Sequence, residues 1–172
     1  MITKIFCDIA DLNLIKKLNK KKIVKGFTTN PSLMRKAGAK NYELYAKEIL
    51  KIASRKPVSL EVFGDNYQEI KRQALKINSW GKNVYVKIPV INSKGDFMGK
   101  AIKELCESNV KLNITAVYNS HQVKKILNCI NNKTKIIISI FVGRAADAGK
   151  DPIKEIKKRN LLLKKYKNVE IL

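Results

Sequence analysis

Short runs of β-branched and other apolar residues recur along the chain, separated by longer amphipathic segments. The runs contain few alternating polar positions, as expected of strands that are covered on both faces. They predict seven strands, at residues 5–8, 24–28, 58–62, 84–88, 112–115, 136–141 and 169–172. The segments between them place apolar residues at helical spacing. They predict helices at residues 42–53, 66–79, 99–108, 120–131 and 152–166.

Regular alternation of strands and helices predicts a parallel sheet with right-handed crossovers. The 172 residues suit one domain, over residues 1–172, and contain no linker or second composition zone. An open sheet of seven strands would leave two apolar edges, whereas an eight-stranded barrel closes on itself and typically needs about 250 residues. We therefore predict a TIM (β/α)8-type α/β barrel with about seven of its eight strands in this chain.

Polar residues recur at the carboxyl ends of the predicted strands. Glu61, Lys87, Asn113 and Ser139 follow one another at a constant interval of 26 residues. One strand, one helix and two loops need about that length. Side chains at the same end of successive parallel strands form the active sites of α/β barrels. The same ends also hold the other candidate residues, which are Asp8, Thr28, Asn30, Thr115 and Phe141.

Lys87 is the candidate nucleophile, because it interrupts the apolar run 84–90, where an ammonium ion is costly to bury. Its amine would attack a carbonyl carbon and form a Schiff base. The amine must first lose its proton, which an apolar wall and a positive surrounding field both favour. A nearby Glu61 carboxylate would oppose that loss. The alternative is a lysine in a structural salt bridge, which leaves the regular spacing unexplained.

Two carboxylates can supply the proton transfers that aldol chemistry needs. Asp8 ends the first predicted strand, and Glu61 is flanked by apolar residues on both sides. The alternative for Asp8 is to cap a helix that begins near Asp11. Arg144 follows the sixth predicted strand and suits a phosphate oxyanion, and its alternative is a surface ion pair.

The formal net charge of +22 indicates a diffuse positive surface. Lysine outnumbers arginine 31 to 5 and is spread over every predicted helix. Dedicated nucleic-acid surfaces favour arginine, because its planar group makes bidentate contacts. The composition therefore argues against a nucleic-acid partner and predicts that sugar phosphates are attracted to the surface.

Other classes of chemistry find little support. No apolar run reaches membrane-spanning length, and the first residues lack a signal-peptide pattern. Three cysteines form no CxxC pair, which favours a reducing, cytoplasmic location. His121 lacks metal-ligand partners, and the chain has no phosphate-binding glycine loop. We expect no metal, no organic cofactor and no membrane partner.

Motifs along the whole chain resemble the transaldolase family, in its short subgroup close to the fructose-6-phosphate aldolases. The order of the Thr-Thr-Asn-Pro-Ser and Val-Lys-Ile-Pro segments is highly specific. The motifs are Phe6-Cys7-Asp8, Gly26-Phe27-Thr28-Thr29-Asn30-Pro31-Ser32-Leu33, Ser59-Leu60-Glu61-Val62, Val84-Tyr85-Val86-Lys87-Ile88-Pro89, Leu112-Asn113-Ile114-Thr115-Ala116-Val117 and Ser139-Ile140-Phe141-Val142-Gly143-Arg144.

This resemblance implies a barrel of the class I aldolase kind and a transferase of the pentose phosphate pathway. The enzyme would move a dihydroxyacetone unit from sedoheptulose 7-phosphate to glyceraldehyde 3-phosphate through a lysine Schiff base, without a cofactor. Lys87 would carry the Schiff base, and Asp8 would be the acid/base for carbon–carbon cleavage. The resemblance also implies a water held by Glu61 and Thr115, and substrate contacts from Thr28, Asn30, Asn113, Ser139, Phe141 and Arg144.

Two positions discriminate within the family. Fructose-6-phosphate aldolases resemble this chain but have Gln where Glu61 stands and Tyr where Phe141 stands, so these residues favour a transaldolase over the alternative aldolase. Relatives continue past the position of Leu172 with a further arginine and an eighth strand. A third hypothesis is therefore an inactive, truncated barrel with a polyanion-attracting surface. The subgroup implies a ring-like homo-oligomer if the C-terminus is complete.

Overall fold

Seven strands alternate with helices in the computed structural model, which describes residues 3–149 and 151–172. Each strand is a short run rich in β-branched or other apolar residues, which fit a pleated, buried surface. The strands are β1 Ile5–Asp8, β2 Val24–Thr28, β3 Val58–Glu61, β4 Val84–Pro89, β5 Leu112–Val117, β6 Ile136–Ile140 and β7 Val169–Ile171.

The helices begin at residues whose side chains satisfy the free N–H groups of the first turn. In six of the helices, an Asn or Asp immediately before the helix accepts a backbone hydrogen bond from its first turn. The helices in the described ranges are α1 Leu12–Asn19, α2 Pro31–Lys36, α3 Tyr42–Ile52, α4 Tyr67–Asn78, α5 Gly99–Glu107, α6 Ser120–Leu127, α7 Val142–Asp147 and α8 Pro152–Leu163.

All seven strands pair in parallel, in the order in which they occur along the chain. The sheet is strongly curled. Lys4, just before β1, lies with its Nζ 2.6 Å from Glu170 Oε1 on β7, although five strands separate β1 from β7 in the sheet. Side chains of β3 and β5 also touch across β4, because Asn113 donates to Ser59 at 2.9 Å. This confirms the predicted TIM-type barrel with seven strands.

The curled sheet has an apolar outer face and a mixed inner face. On β4, Val84, Val86 and Ile88 are fully buried, whereas the alternate residues Tyr85 and Lys87 keep partial access to solvent. Since side chains alternate across a strand, Lys87 lies on the face opposite to that of the buried aliphatic residues. Burial of the outer face against the helices drives the assembly of the sheet.

The end strands are less protected than the central ones. Within the part of the chain that the structure describes, β1 pairs only with β2, and β7 pairs only with β6. Ile5 on β1 is exposed, whereas every residue of β6, which pairs on both sides, is buried. The open gap between β1 and β7 is where an eighth strand closes a complete barrel.

The sequence predicted every strand and five of the eight helices in the described ranges, with bounds that differ by a few residues. The predicted helix at 120–131 ends at Leu127, and the one at 152–166 ends at Leu163. The short helices α2 and α7 were not predicted, because six residues carry too little periodicity. Helix α1 entered only as the helix beginning near Asp11, in the alternative for Asp8. The predicted domain also includes Met1, Ile2 and Lys150, which lie outside the described residues. No helix among the described residues is long and apolar enough to cross a membrane.

The burial of the outer face gives a test of the fold. We expect Ile88→Ala to lower the free energy of unfolding by about 2–5 kcal/mol, because the side chain is fully buried. The control is Ile23→Ala, at a side chain that is 62% exposed, with an expected change within about 0.5 kcal/mol. Urea denaturation measures both. Equal effects for the two variants would contradict the described packing.

Candidate active site

The amine of Lys87 lies beside the carboxylate of Glu61. These two residues are directly opposite each other in the register of β3 and β4, so the sheet itself sets their separation. The distance from Lys87 Nζ to Glu61 Oε2 is 3.2 Å, and the side chains are 14% and 27% exposed. The ion pair is therefore largely buried and keeps partial access to solvent at the carboxyl ends of the strands. Lys87 lies in the interior, as the apolar run around it predicted.

A buried polar layer lies on the inner face next to Lys87. Asn113 on β5 is opposite Lys87 in the register, and its Nδ2 donates to Ser59 Oγ at 2.9 Å. The hydroxyl of Ser139 on β6 donates to Asn113 Oδ1 at 2.7 Å. All three side chains are buried. Because both ends of the Asn113 amide are engaged, its orientation is fixed.

Ser59 was missed by the sequence reasoning. It stands two residues before Glu61 within an apolar strand, so it shares the face of Glu61. A polar residue in phase with a candidate carboxylate was the signal that could have identified it.

Asp8 and Thr28 form a second pair at the ends of β1 and β2. They are opposite in the register, and Thr28 Oγ1 donates to Asp8 Oδ1 at 2.7 Å. Asp8 is exposed, because β1 has no neighbour on its other side among the described residues. The alternative that Asp8 caps a helix is wrong, since Asp11 accepts the hydrogen bond from Leu14 at the start of α1.

Thr115 lies in an irregular stretch of β5. Between Ile114 and Val117, two residues of β5 oppose one residue of β6, and Ala116 has a φ of 58°, in the left-handed region. Such bulges re-aim side chains and occur beside active sites. The hydroxyl of Thr115 is buried and has no hydrogen-bond partner within residues 3–149 and 151–172. Leaving a buried hydroxyl unpaired costs about 1–3 kcal/mol, so this group is ready to bind a water or a ligand.

Asn30 has a structural task as well as its predicted one. Its side-chain oxygen accepts from Leu33 N at 2.9 Å and caps α2, which begins at Pro31. The Asn-Pro pair is a typical helix start, so the sequence contained this signal. The amide nitrogen of Asn30 is the group left for a ligand.

Phe141 and Arg144 stand at the end of β6 and the start of α7. The ring of Phe141 packs edge-on against Tyr118, with 5.5 Å between ring centroids. Arg144 is 74% exposed, and its Nη1 lies 3.7 Å from Asp147 Oδ2. The surface ion pair that was the alternative for Arg144 is therefore present, although such an exposed pair contributes little stability. These residues line a cavity of about 270 Å³.

A larger cavity of about 530 Å³ lies at the opposite end of the sheet, where the strands begin. It is lined by several lysines, among them Lys4, Lys25 and Lys135, and by Glu170. Its amine–carboxylate pair, Lys4 with Glu170, is about half exposed, whereas the pair of Lys87 with Glu61 is largely buried. We therefore place the candidate active site at the carboxyl ends, as expected for an α/β barrel. No group of three metal-ligating side chains lies together among the described residues.

The fold and the site define a class of protein: a parallel α/β barrel that presents a lysine–carboxylate pair at the carboxyl ends of β3 and β4. Comparison with known proteins is more specific. The profile of the family described as Transaldolase/Fructose-6-phosphate aldolase matches residues 5–172. The chain belongs to this family.

Curated relatives are about one third identical to this chain over the aligned residues. A probable transaldolase of Thermoplasma volcanium is 36% identical over 165 residues, which cover 95% of this chain and 70% of the relative. A probable transaldolase of Dehalococcoides mccartyi is 34% identical over 148 residues, covering 86% and 65%. The chain thus spans about two thirds of the length of the curated relatives it matches.

Among solved structures, a dihydrodipicolinate synthase from Rhodopseudomonas palustris gives a TM-score of 0.48 at 12% identity, covering 99% of this chain and 63% of that chain.

The buried polar layer can be tested by removing one hydroxyl. We expect Ser59→Ala to lower the free energy of unfolding by about 1–3 kcal/mol, because it leaves a buried N–H of Asn113 without its acceptor. The control is Ser54→Ala at an exposed position, with an expected change within about 0.5 kcal/mol. Urea denaturation is the measurement. If Ser59→Ala left the free energy of unfolding unchanged, the hydrogen bond from Asn113 to Ser59 would not contribute to stability.

Proposed function

We propose that this chain carries the Schiff-base chemistry of a transaldolase. It would move a dihydroxyacetone unit from sedoheptulose 7-phosphate to glyceraldehyde 3-phosphate. The observation that carries the proposal is the separation of 3.2 Å between Lys87 Nζ and Glu61 Oε2, on a partly open inner face, in a chain of this family. Because the chain spans about two thirds of its relatives' length, the activity of the whole protein is part of the proposal.

The first step is attack of the Lys87 amine on the ketone carbon of the donor sugar. Only a neutral amine has the lone pair that attacks a carbonyl carbon, so a proton must leave Lys87 Nζ as the ketone arrives. Glu61 Oε2 is close enough to accept that proton directly. Nitrogen–carbon bond formation gives a carbinolamine, and loss of its hydroxyl as water gives the imine.

Asp8 is suited to the carbon–carbon bond step. One of its oxygens accepts from Thr28, which fixes the carboxylate and leaves the other oxygen facing outward. That oxygen would take the proton from the donor hydroxyl as the bond breaks. The electron pair of the broken bond moves toward the imine and gives an enamine and a free aldose phosphate. Addition of the acceptor aldehyde reverses these steps with a different sugar.

Thr115 is suited to hold the water of the imine steps together with Glu61. Support comes from its buried hydroxyl, which is unpaired within the described residues and stands on the strand next to that of Lys87. A water bound there would satisfy the hydroxyl and supply the nucleophile that hydrolyses the product imine.

Substrate contacts follow from the groups that face the same end of the sheet. Asn30, Asn113 and Ser139 would bind the dihydroxyacetone hydroxyls, with Thr28 supporting the pocket through Asp8. Phe141 would pack against the sugar chain. The exposed Arg144 would exchange its long contact with Asp147 for the acceptor phosphate, which forms stronger charge-assisted bonds. The net charge of +22 would concentrate sugar phosphates near the surface.

A second candidate is a fructose-6-phosphate aldolase, because the matching family includes both activities. The two differ in whether free dihydroxyacetone is released. The ring of Phe141 carries no hydroxyl, and it packs on Tyr118, which favours transfer to an aldehyde over release. Donor cleavage that requires glyceraldehyde 3-phosphate supports the transaldolase. Cleavage without an acceptor, with dihydroxyacetone as product, supports the aldolase.

Reductive trapping tests the central residue. We expect sodium borohydride with fructose 6-phosphate to add one dihydroxyacetone unit or one sugar to Lys87, because it reduces the imine to a stable amine. Peptide mapping by mass spectrometry locates the adduct among the 31 lysines. Lys87→Met is the control for adducts at other lysines. A folded protein whose Lys87 remains unmodified, without sugar-phosphate turnover, would instead support the inactive, polyanion-attracting barrel.

The carbon–carbon bond step can be separated from imine formation. We expect Asp8→Asn to lower kcat by about 10²–10⁴-fold, because an amide cannot accept the hydroxyl proton. Borohydride trapping of the imine between Lys87 and uncleaved fructose 6-phosphate should persist in this variant, because imine formation precedes the step that Asp8 serves. Asp11→Asn is a matched control, since it removes one nearby charge and Asn still caps α1. If Asp8→Asn lost imine trapping while Asp11→Asn kept it, Asp8 would act in imine formation, and its proposed role in carbon–carbon cleavage would be wrong.

A further inference from the structure

The hydroxyl of Tyr42, the first residue of α3, lies against the backbone of Glu61. It accepts a hydrogen bond from Glu61 N–H at 2.9 Å and donates one to the Glu61 carbonyl, also at 2.9 Å. A phenol has one donor and two acceptor lone pairs, so both bonds can exist together. A helix side chain is thus bound on both sides of the peptide that carries the Glu61 carboxylate.

The chain around β2 explains why Glu61 needs this partner. In the ladder between β2 and β3, Phe27 N–H donates to Pro57 O at 2.9 Å, and Thr29 N–H donates to Ser59 O at 3.2 Å. The next N–H in this series belongs to residue 31, and it would donate to the carbonyl oxygen of Glu61. Residue 31 is proline and has no N–H.

The backbone of Glu61 therefore faces the side where β2 has already ended. Val62 N–H, one residue later, donates to Lys87 O on the other side, toward β4. Without another partner, the backbone N–H and carbonyl of Glu61 would make no hydrogen bond, at the very residue that carries the carboxylate. The Tyr42 hydroxyl takes the place of the missing strand.

Neighbouring rings hold Tyr42 in this position. Its ring packs edge-on against Phe63, with 4.7 Å between centroids, and lies 5.9 Å from the ring of Trp80. Burial raises the pKa of the Tyr42 hydroxyl far above its ordinary value and outweighs the opposite effect of the hydrogen bond with the Glu61 backbone. The hydroxyl therefore keeps its proton over the working pH range and remains a donor.

We propose that Tyr42 is a positioning residue, which holds the end of β3 so that the Glu61 carboxylate stays 3.2 Å from Lys87 Nζ. The inference rests on the function proposed above. Tyr42 touches no reacting atom and acts through Glu61. The steps that depend on it are those in which Glu61 moves a proton, which are formation and hydrolysis of the imine.

The test uses a partial reaction that involves these steps alone. Fructose 6-phosphate labelled with ¹⁸O at its ketone oxygen loses the label to water when the imine forms and hydrolyses, without carbon–carbon cleavage. We expect Tyr42→Phe to slow the enzyme-dependent loss of label by about tenfold or more, because small displacements of a catalytic group cost large factors in rate. Lys87→Met gives the background.

Tyr45→Phe is the matched control. Tyr45 lies on the same helix, and its single hydroxyl proton is shared between two backbone carbonyls, of Ala10 at 3.0 Å and of Ala37 at 3.3 Å. These bonds are away from Glu61 and Lys87. We expect Tyr45→Phe to change the loss of label by less than about twofold. Equal effects of the two Tyr→Phe changes would overturn the positioning role.

A double-mutant cycle distinguishes positioning from general support of the fold. In a Glu61→Gln background, we expect Tyr42→Phe to change the rate of label loss by less than about twofold. The carboxylate that Tyr42 positions is already absent in that background. The same fold-loss in both backgrounds would show that Tyr42 acts independently of Glu61 and would overturn the proposal.

Failure of the inference can be distinguished from failure of the proposed function. A folded parent protein that neither loses label nor traps an adduct on Lys87 overturns both. A parent that does both, with Tyr42→Phe behaving like Tyr45→Phe, overturns the positioning role alone. If Tyr42→Phe does not fold, hydrogen exchange in the parent decides. A protected Glu61 amide supports the bond to Tyr42, and rapid exchange at that amide overturns it.

Discussion

The parallel register of β3 and β4 is the constraint on which the candidate site depends. It places Glu61 directly opposite Lys87 and brings the carboxylate within 3.2 Å of the amine. A shift of one residue in either strand would turn that strand's side chains to the other face, because the side-chain period of a strand is two. If β4 shifted in this way, Lys87 would face the helices, in the apolar layer now formed by Val86 and Ile88. The buried aliphatic residues of β4 therefore fix the position of the lysine, because their burial specifies the register.

Curvature of the sheet brings side chains of non-adjacent strands together at the site. Asn113 on β5 reaches Ser59 on β3 across β4, which requires a concave inner face. The buried layer next to Lys87 is thus shared among β3, β5 and β6. Asp8 is exposed, because β1 borders the gap next to β7. The lysine half of the site is well supported by neighbouring strands, whereas the Asp8 half is supported on one side through Thr28.

The sequence predicted the strands and the polar ends because both follow from a repeat of one strand and one helix. The interval of 26 residues linked Glu61 to Lys87 and Lys87 to Asn113, and the register confirms that these pairs are neighbours. Contacts from outside the strands were not predictable in this way. Tyr42 reads in the sequence as one more apolar helix residue, and its bond to Glu61 becomes visible only when α3 packs on the sheet. The left-handed Ala116 carries no sequence signal, because alanine seldom marks such a backbone.

A crystal structure of the protein soaked with fructose 6-phosphate would show where the sugar binds and whether it reacts. We expect continuous density between Lys87 Nζ and the former ketone carbon, with the Glu61 carboxylate within hydrogen-bond distance of that junction. A sugar phosphate bound among the lysines of the large cavity at the opposite end of the sheet, with Lys87 unmodified and still paired with Glu61, would overturn the proposed active site.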